Sequence, residues 1–211
     1  MTELLSGYDI NTRELIFRVY AAPIPETERG RRHKISHLVA LDLLGAALLR
    51  DFHIRHAMIK RIGLQKPQLI HENLYMNISH CSGLAVAAVG YVPLGVDAET
   101  PRAYKERFLP RICAPDEVSA IMQAEDADKN LVFSRFWTLK EAYAKYTGKG
   151  IGMKFSELGF TLGDEIHFHH PDAENVQFYQ LLLQKIYVVS LCVPRGDYRT
   201  IELSRQRMTG S

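Results

Sequence analysis

Apolar and polar positions along the chain switch between short runs that suit strands and longer runs that suit helices. Residues 15–22 (LIFRVYAA) are rich in β-formers and run into two nearby prolines, which predicts a strand. Basic residues follow in what reads as a polar loop. Residues 37–52 (HLVALDLLGAALLRDF) have helical composition and are apolar almost all round, so the pattern predicts a buried helix. Two β-type runs, 74–78 and 84–92, flank a polar turn at 79–83 (SHCSG), and a third strand is expected over 94–99, stopped at Pro101. From there to Asp128 the chain is charged and reads as helix in pieces. A longer helix follows, with Asn130 as its N-cap and Gly148 as its stop. The last third reads as strands 158–162, 176–183 and 186–193, the last two a hairpin about Gln184-Lys185, before a polar tail from Glu202 that is expected to fray. No repeat or low-complexity linker stands out. The composition turns from β-rich to helix-rich near 93–101, which divides the chain into halves 1–95 and 96–211.

With 211 residues, 46% of them hydrophobic, the chain can bury a sizeable core. Its 26 basic and 24 acidic residues leave a formal charge of +2, and no dense basic tract occurs. That balance does not suit a nucleic-acid binder, so any anion binding must be local. The three cysteines, Cys81, Cys113 and Cys192, are widely spaced and form neither a CxxC pair nor a zinc spacing, so they read as reduced thiols of a cytoplasmic protein. The polar N-terminus carries no signal-peptide pattern. The longest apolar run, 84–96, is broken by glycine and proline and is too short to span a bilayer, so no membrane partner is expected.

Three stretches carry candidate chemistry. In Gly95-Val96-Asp97-Ala98-Glu99, strand alternation sets Asp97 and Glu99 on one face and Val96 and Ala98 on the other. Two strand steps span roughly 6–7 Å, close enough for both carboxylates to lean onto one cation. Taken alone, the pair reads better as the wet side of a half-buried strand. In FSRFWTLKEAYAKYTGKG (residues 133–150), Trp137, Glu141 and Lys145 form one stripe at i, i+4, i+8. A surface ion pair accounts for Lys145, and accounts less well for Glu141 beside Trp137. Lys140 is open between facing a phosphate and packing its stem on aromatics. In Asn77-Ile78-Ser79-His80, a histidine at a turn can donate to a phosphate, or is simply a loop residue. Together these residues suit a Mg²⁺–pyrophosphate site, since magnesium takes few carboxylates plus waters and phosphate oxygens. They do not suit zinc. Neither a Walker loop nor a dinucleotide fingerprint is present.

NISHCSG, GVDAET and FSRFWTLKEAYAKYTGKG, in that order, resemble the three signature segments of the 4′-phosphopantetheinyl transferases, specifically the surfactin-synthetase-activating type. Each motif is weak alone; the ordered set is specific. The resemblance implies an α+β fold, a pseudo-twofold pair of similar α/β halves with coenzyme A in the cleft between them. It implies a holo-[acyl-carrier-protein] synthase activity: transfer of 4′-phosphopantetheine from coenzyme A to a serine of an apo acyl, peptidyl or polyketide carrier protein, releasing adenosine 3′,5′-bisphosphate. By motif position, Asp97, Glu99 and Glu141 are implied at the magnesium, and Glu141 and Lys145 as catalytic groups. Lys145 is implied at the coenzyme A phosphates, with Ser79 and His80 on the same ligand and His80 at the 3′-phosphate. Lys66-Pro67 matches a segment near the adenine, although Gln65 stands where the family has glycine. Arg29, Arg31, Arg32 and Lys34 fall where the family carries basic residues, so 1–95 becomes the 3′-phosphate and adenine side and 96–211 the metal side. One departure is Leu41, where relatives often carry an arginine for the 3′-phosphate. A monomer is expected. The competing readings are a non-catalytic coenzyme A-binding regulatory module derived from such an enzyme and, more weakly, an unrelated Mg²⁺-dependent pyrophosphate hydrolase.

Overall fold

A computed structural model of the chain describes residues 1–26, 32–60, 67–71, 73–183 and 186–202. The first half contains β1 (Thr2–Asp9), β2 (Leu15–Pro23), α1 (Arg32–Phe52), β3 (Ile59–Lys60), β4 (Gln68–Leu69), β5 (Tyr75–Cys81) and β6 (Leu84–Gly90). The second contains β7 (Gly95–Glu99), α2 (Leu109–Ile112), α3 (Pro115–Gln123), α4 (Lys129–Thr147), β8 (Gly159–Leu162), β9 (Ile166–His169), β10 (Val176–Leu183), β11 (Tyr187–Pro194) and β12 (Tyr198–Glu202). One antiparallel sheet runs β12-β1-β2-β6-β5 and another runs β10-β11-β7, with two-stranded ladders β3-β4 and β8-β9 beside them.

Four layers result. β6 shows why: Leu84, Val86 and Ala88 face Val96, Ala98, Val189 and Leu191 of the second sheet, while Ala85, Ala87 and Val89 lie under α1. A strand covered on both faces has no polar side, so its sequence is a continuous apolar run. On the other side of the molecule α4 covers β7 and β11 and packs Phe136, Leu139 and Tyr143 against Phe160, Phe168 and Cys192. The order is helix, sheet, sheet, helix, an α+β architecture as expected.

Several elements differ from the sequence reading. α1 is buried along one face only: Leu43, Leu44, Ala47 and Leu48 meet the sheet, while Leu38 and Leu49 stay 48% and 52% exposed. Among the described residues nothing covers its outer face, so its apolar residues there meet water. α1 also starts at Arg32, so Arg32 and Lys34 belong to its first turn rather than to a loop. The turn between β5 and β6 is only Ser82-Gly83, with Cys81 paired to Leu84 and Gly83 at φ +87°; Ser79 and His80 therefore sit on a strand. α4 begins after Asp128, not at Asn130, and ends as expected at Gly148, which is left-handed (φ 72°). The strands β1, β3, β4, β9 and β12 are additions. Gln184, Lys185 and the tail beyond Glu202 lie outside the described residues.

Candidate active site

β5 and β7 are the edges of the two sheets, and they lie side by side without forming a ladder. The open edge of β7 is closed by side chains instead. Asn77 Oδ1 accepts from the Val96 amide (2.8 Å), and Ser79 Oγ accepts from the Ala98 amide (3.2 Å). Buried backbone groups need partners, and these two short polar side chains stand in for a missing strand. The Asn-x-Ser spacing supplies both because alternate residues share a face.

Asp97 lies on the side of β7 opposite Val96 and Ala98, as strand alternation requires, and is 7% exposed. Its Oδ1 accepts from Ser79 Oγ (2.8 Å) and from Lys145 Nζ (2.7 Å). Lys145 reaches over from α4 and also donates to Ser79 Oγ (3.0 Å) and the Val96 carbonyl (3.1 Å). The Ser79 hydroxyl, with one donor and two acceptor sites, is thereby saturated. Among the described residues Glu99 accepts from the neighbouring Thr100 amide (3.1 Å), with Arg102 Nη1 3.9 Å from its other oxygen.

Glu141 stands one turn before Lys145. Burial, then the charge of Asp97, pushes its pKa above the ordinary carboxylate value, and the Lys145 charge opposes this. Glu99 is raised as well, chiefly by burial. After burial, both carboxylates of β7, Asp97 and Glu99, raise Glu141, while Lys145 and Arg102 oppose it.

A cleft of about 790 Å³ collects these groups. Among the expected residues it is lined by Asp97, Glu99, Glu141, Lys145, Ser79, His80, Lys34 and Pro67. Arg29, Arg31 and Lys66 lie outside the described residues, as does the side chain of Arg32. Leu41 is half-buried and is not part of this lining. Trp137 lines the cleft while packed between Phe133 and Phe155, with the Arg102 guanidinium 5.0 Å from its ring centre.

Lys140 has a place apart. Fully buried, its ammonium donates to Glu117 (2.8 Å), to the Phe155 carbonyl (2.9 Å) and to the Leu158 carbonyl. Glu117 in turn accepts from the Ala114 and Phe160 amides. Lys140 therefore faces no phosphate; it ties α4 to α3 and β8.

Sequence reasoning overlooked His33 and His37. Both line the cleft from α1, their rings edge-on to His80 at 5.2 and 6.4 Å between centres. Their i, i+4 spacing was visible, but only a helix begun at Arg32 puts them on one face.

Carboxylates and cations thus share one cleft: Asp97, Glu99 and Glu141 line it together with Lys145, Lys34 and His80. The family model of the 4′-phosphopantetheinyl transferase superfamily matches residues 93–199, half of the chain. The chain belongs to that superfamily, and the likeness to Bacillus enzymes agrees with the surfactin-activating type implied by the motifs. The 4′-phosphopantetheinyl transferase HetI of Nostoc sp. is 38% identical over 92 residues, a match covering 42% of this chain and 38% of that relative. The 4′-phosphopantetheinyl transferase psf-1 of Bacillus pumilus is 29% identical over 163 residues, 69% of each chain. A solved holo-(acyl-carrier-protein) synthase from Bacillus anthracis, in complex with CoA (3′,5′-ADP), is 19% identical with a TM-score of 0.44, over 50% of this chain and 97% of that one.

Proposed function

We propose that this protein transfers 4′-phosphopantetheine from coenzyme A to a serine hydroxyl of an apo acyl, peptidyl or polyketide carrier protein, using Mg²⁺. The observation that carries the reading is the meeting of Asp97, Glu99, Glu141 and Lys145, from β7 and α4, in one cleft of about 790 Å³. That volume is within the usual range of ligand sites.

The donor set fits magnesium. All the candidate ligands are carboxylate oxygens, and the raised pKa of Glu99 and Glu141 marks a place where a cation relieves repulsion. Among the described residues no three His, Cys, Asp or Glu side chains close on a metal by themselves. This suits an ion completed by substrate phosphate oxygens and water rather than held in a protein cage. Asp97, Glu99 and Glu141 would hold it, and when bound it neutralises pyrophosphate charge.

The chain's own groups then do the following. Lys145, freed from Asp97, places its ammonium on a phosphate. Glu141 takes the serine proton. The serine oxygen bonds to the phosphorus bearing pantetheine, and the bond from that phosphorus to the oxygen of adenosine 3′,5′-bisphosphate breaks. His80 and Lys34 lie on the anion side. Pro67, shared with an adjoining cavity of about 520 Å³, borders room for a longer donor.

The free thiols of Cys81 and Cys113, pushed up to about 12 by burial, suit a cytoplasmic setting. No helix among the described residues is long and apolar enough to cross a membrane.

The test is mass spectrometry of several apo carrier proteins incubated with this protein, coenzyme A and Mg²⁺. A gain of about 340 Da on one serine, lost when the metal is chelated, is expected. No gain on any carrier of a broad panel would favour the non-catalytic coenzyme A-binding module.

A further inference from the structure

Lys145 is drawn to a carboxylate that the chemistry above gives to a metal. Its ammonium donates to Asp97 Oδ1 at 2.7 Å, and to Ser79 Oγ and the Val96 carbonyl at 3.0 and 3.1 Å. Asp97 is buried, while the Lys145 side chain is 28% exposed and lines the cleft. Its charge also reaches the neighbouring carboxylates. Burial raises the pKa of Glu141 and of Glu99, and Lys145 works against that rise at both. One tethered ammonium thus serves as counter-ion to all three carboxylates.

A divalent cation brought to these oxygens meets that ammonium at close range, and like charges repel strongly where water is scarce. Expelling Lys145 breaks its three hydrogen bonds. Among the described residues the cleft is lined by no fourth carboxylate that could receive it. A phosphate oxygen could. The lysine stem is long and flexible, so a phosphate entering the cleft offers the ammonium a new charge-assisted partner. Donor and metal then help one another in: the donor draws the ammonium off Asp97, and the metal takes the oxygen it leaves.

We infer that Lys145 is a stand-in cation that keeps free Mg²⁺ out of the cleft, so that the form of the donor this protein takes is the magnesium complex of its pyrophosphate. This rests on the metal and coenzyme A reading above. A lysine that only bound phosphate would leave the affinity for metal alone untouched. A lysine fixed to Asp97 as a structural pair would leave for neither ligand.

Metal binding reads this without any transfer reaction. Mn²⁺, which suits the same oxygen ligands, is titrated into the protein without donor, and free metal is followed by electron paramagnetic resonance. Lys145→Met should bind Mn²⁺ about tenfold more tightly than the parent, within the ordinary range of coupling between two sites. Lys145→Arg keeps the charge and should stay as weak as the parent. Asp97→Asn/Lys145→Met should lose the gain, which locates the metal at these carboxylates. With coenzyme A added, and each mixture read against the same mixture without protein, the parent should tighten on Mn²⁺ far more than Lys145→Met does. Lys145→Gln, whose amide can still donate to Asp97, takes the place of Lys145→Met if the latter fails to fold; if neither folds, the pair is structural and the inference falls. Equal Mn²⁺ affinity in the parent and Lys145→Met, or Lys145→Arg as tight as Lys145→Met, would also overturn it. Carriers that gain phosphopantetheine while metal affinity ignores Lys145 sink this inference and leave the proposed function standing. Metal affinity that follows Lys145, with no transfer to any carrier, does the reverse.

Discussion

At the residue scale, two lysines five positions apart on one helix have different work. Lys145 answers Asp97 from the rim of the cleft and is free to leave it. Lys140 is sealed inside, paired with Glu117 and two carbonyls. Burial drives both partners of that inner pair toward neutrality, Lys140 downward and Glu117 upward, and their mutual attraction opposes it. Removing one partner strands the other, so Lys140→Met should destabilise the fold by about 3–5 kcal/mol, with much of the loss recovered in Lys140→Met/Glu117→Leu; urea unfolding of the two variants measures it. Glu141 is the opposite case. Its folded pKa is raised, so the protein without metal loses stability as pH rises from the unfolded carboxylate value through the folded one. At neutral pH, Glu141→Gln should therefore unfold at a higher temperature than the parent in chelator, while turnover falls on the order of 10²–10³-fold. Scanning calorimetry with and without Mg²⁺, beside carrier modification rates, checks both signs.

At the scale of elements, the candidate site depends on how closely α4 crosses β7. A methyl group on Gly95 would stand 2.2 Å from the Ala142 carbonyl oxygen and 2.3 Å from the Tyr146 amide nitrogen. Those are backbone atoms and cannot turn aside. Gly95→Ala should push the helix off the strand and separate Glu141 from Asp97, lowering transfer rates by tenfold or more in a protein that still folds. Circular dichroism with single-turnover kinetics tests this, and a variant of parental rate would disprove the close crossing. This contact also shows what the sequence could reveal. The shared face of Asp97 and Glu99 and the stripe of Trp137, Glu141 and Lys145 follow from local periodicity, so both were readable. That Asn77 and Ser79 close the edge of β7 depends on a neighbour about twenty positions away, and no local pattern announces it. The start of α1 was hidden because no Ser, Thr, Asp or Asn directly precedes Arg32, so the helix was read only from His37 and His33 fell in the loop before it. β1 was hidden for a related reason. Its polar residues Ser6 and Tyr8 are satisfied by Arg18 of β2, at 3.0 and 2.8 Å, and that guanidinium is held in turn by Asp51 of α1 at 2.6 Å.

At the scale of the whole molecule, the chain does not divide cleanly where its composition changes. β7 opens the second sheet close to the expected boundary, but β12 returns to the first sheet and pairs with β1, from Leu5 opposite Glu202 to Asp9 opposite Tyr198. The helix-sheet-sheet-helix stack is thus laced shut by the pairing of β1 with β12. That lacing bears on how the protein is born. During synthesis β1 leaves the ribosome early and remains an edge with unpaired amides and carbonyls until Tyr198–Glu202 follows. At about 5–20 residues per second, the wait is on the order of ten to forty seconds. Nascent chains arrested before Tyr198 emerges should be cut by protease within β1, and chains released a few residues past Glu202 should resist. β1 is made long before its partner β12, and for that interval a growing chain shows its neighbours on the same message an open strand edge to which they can add.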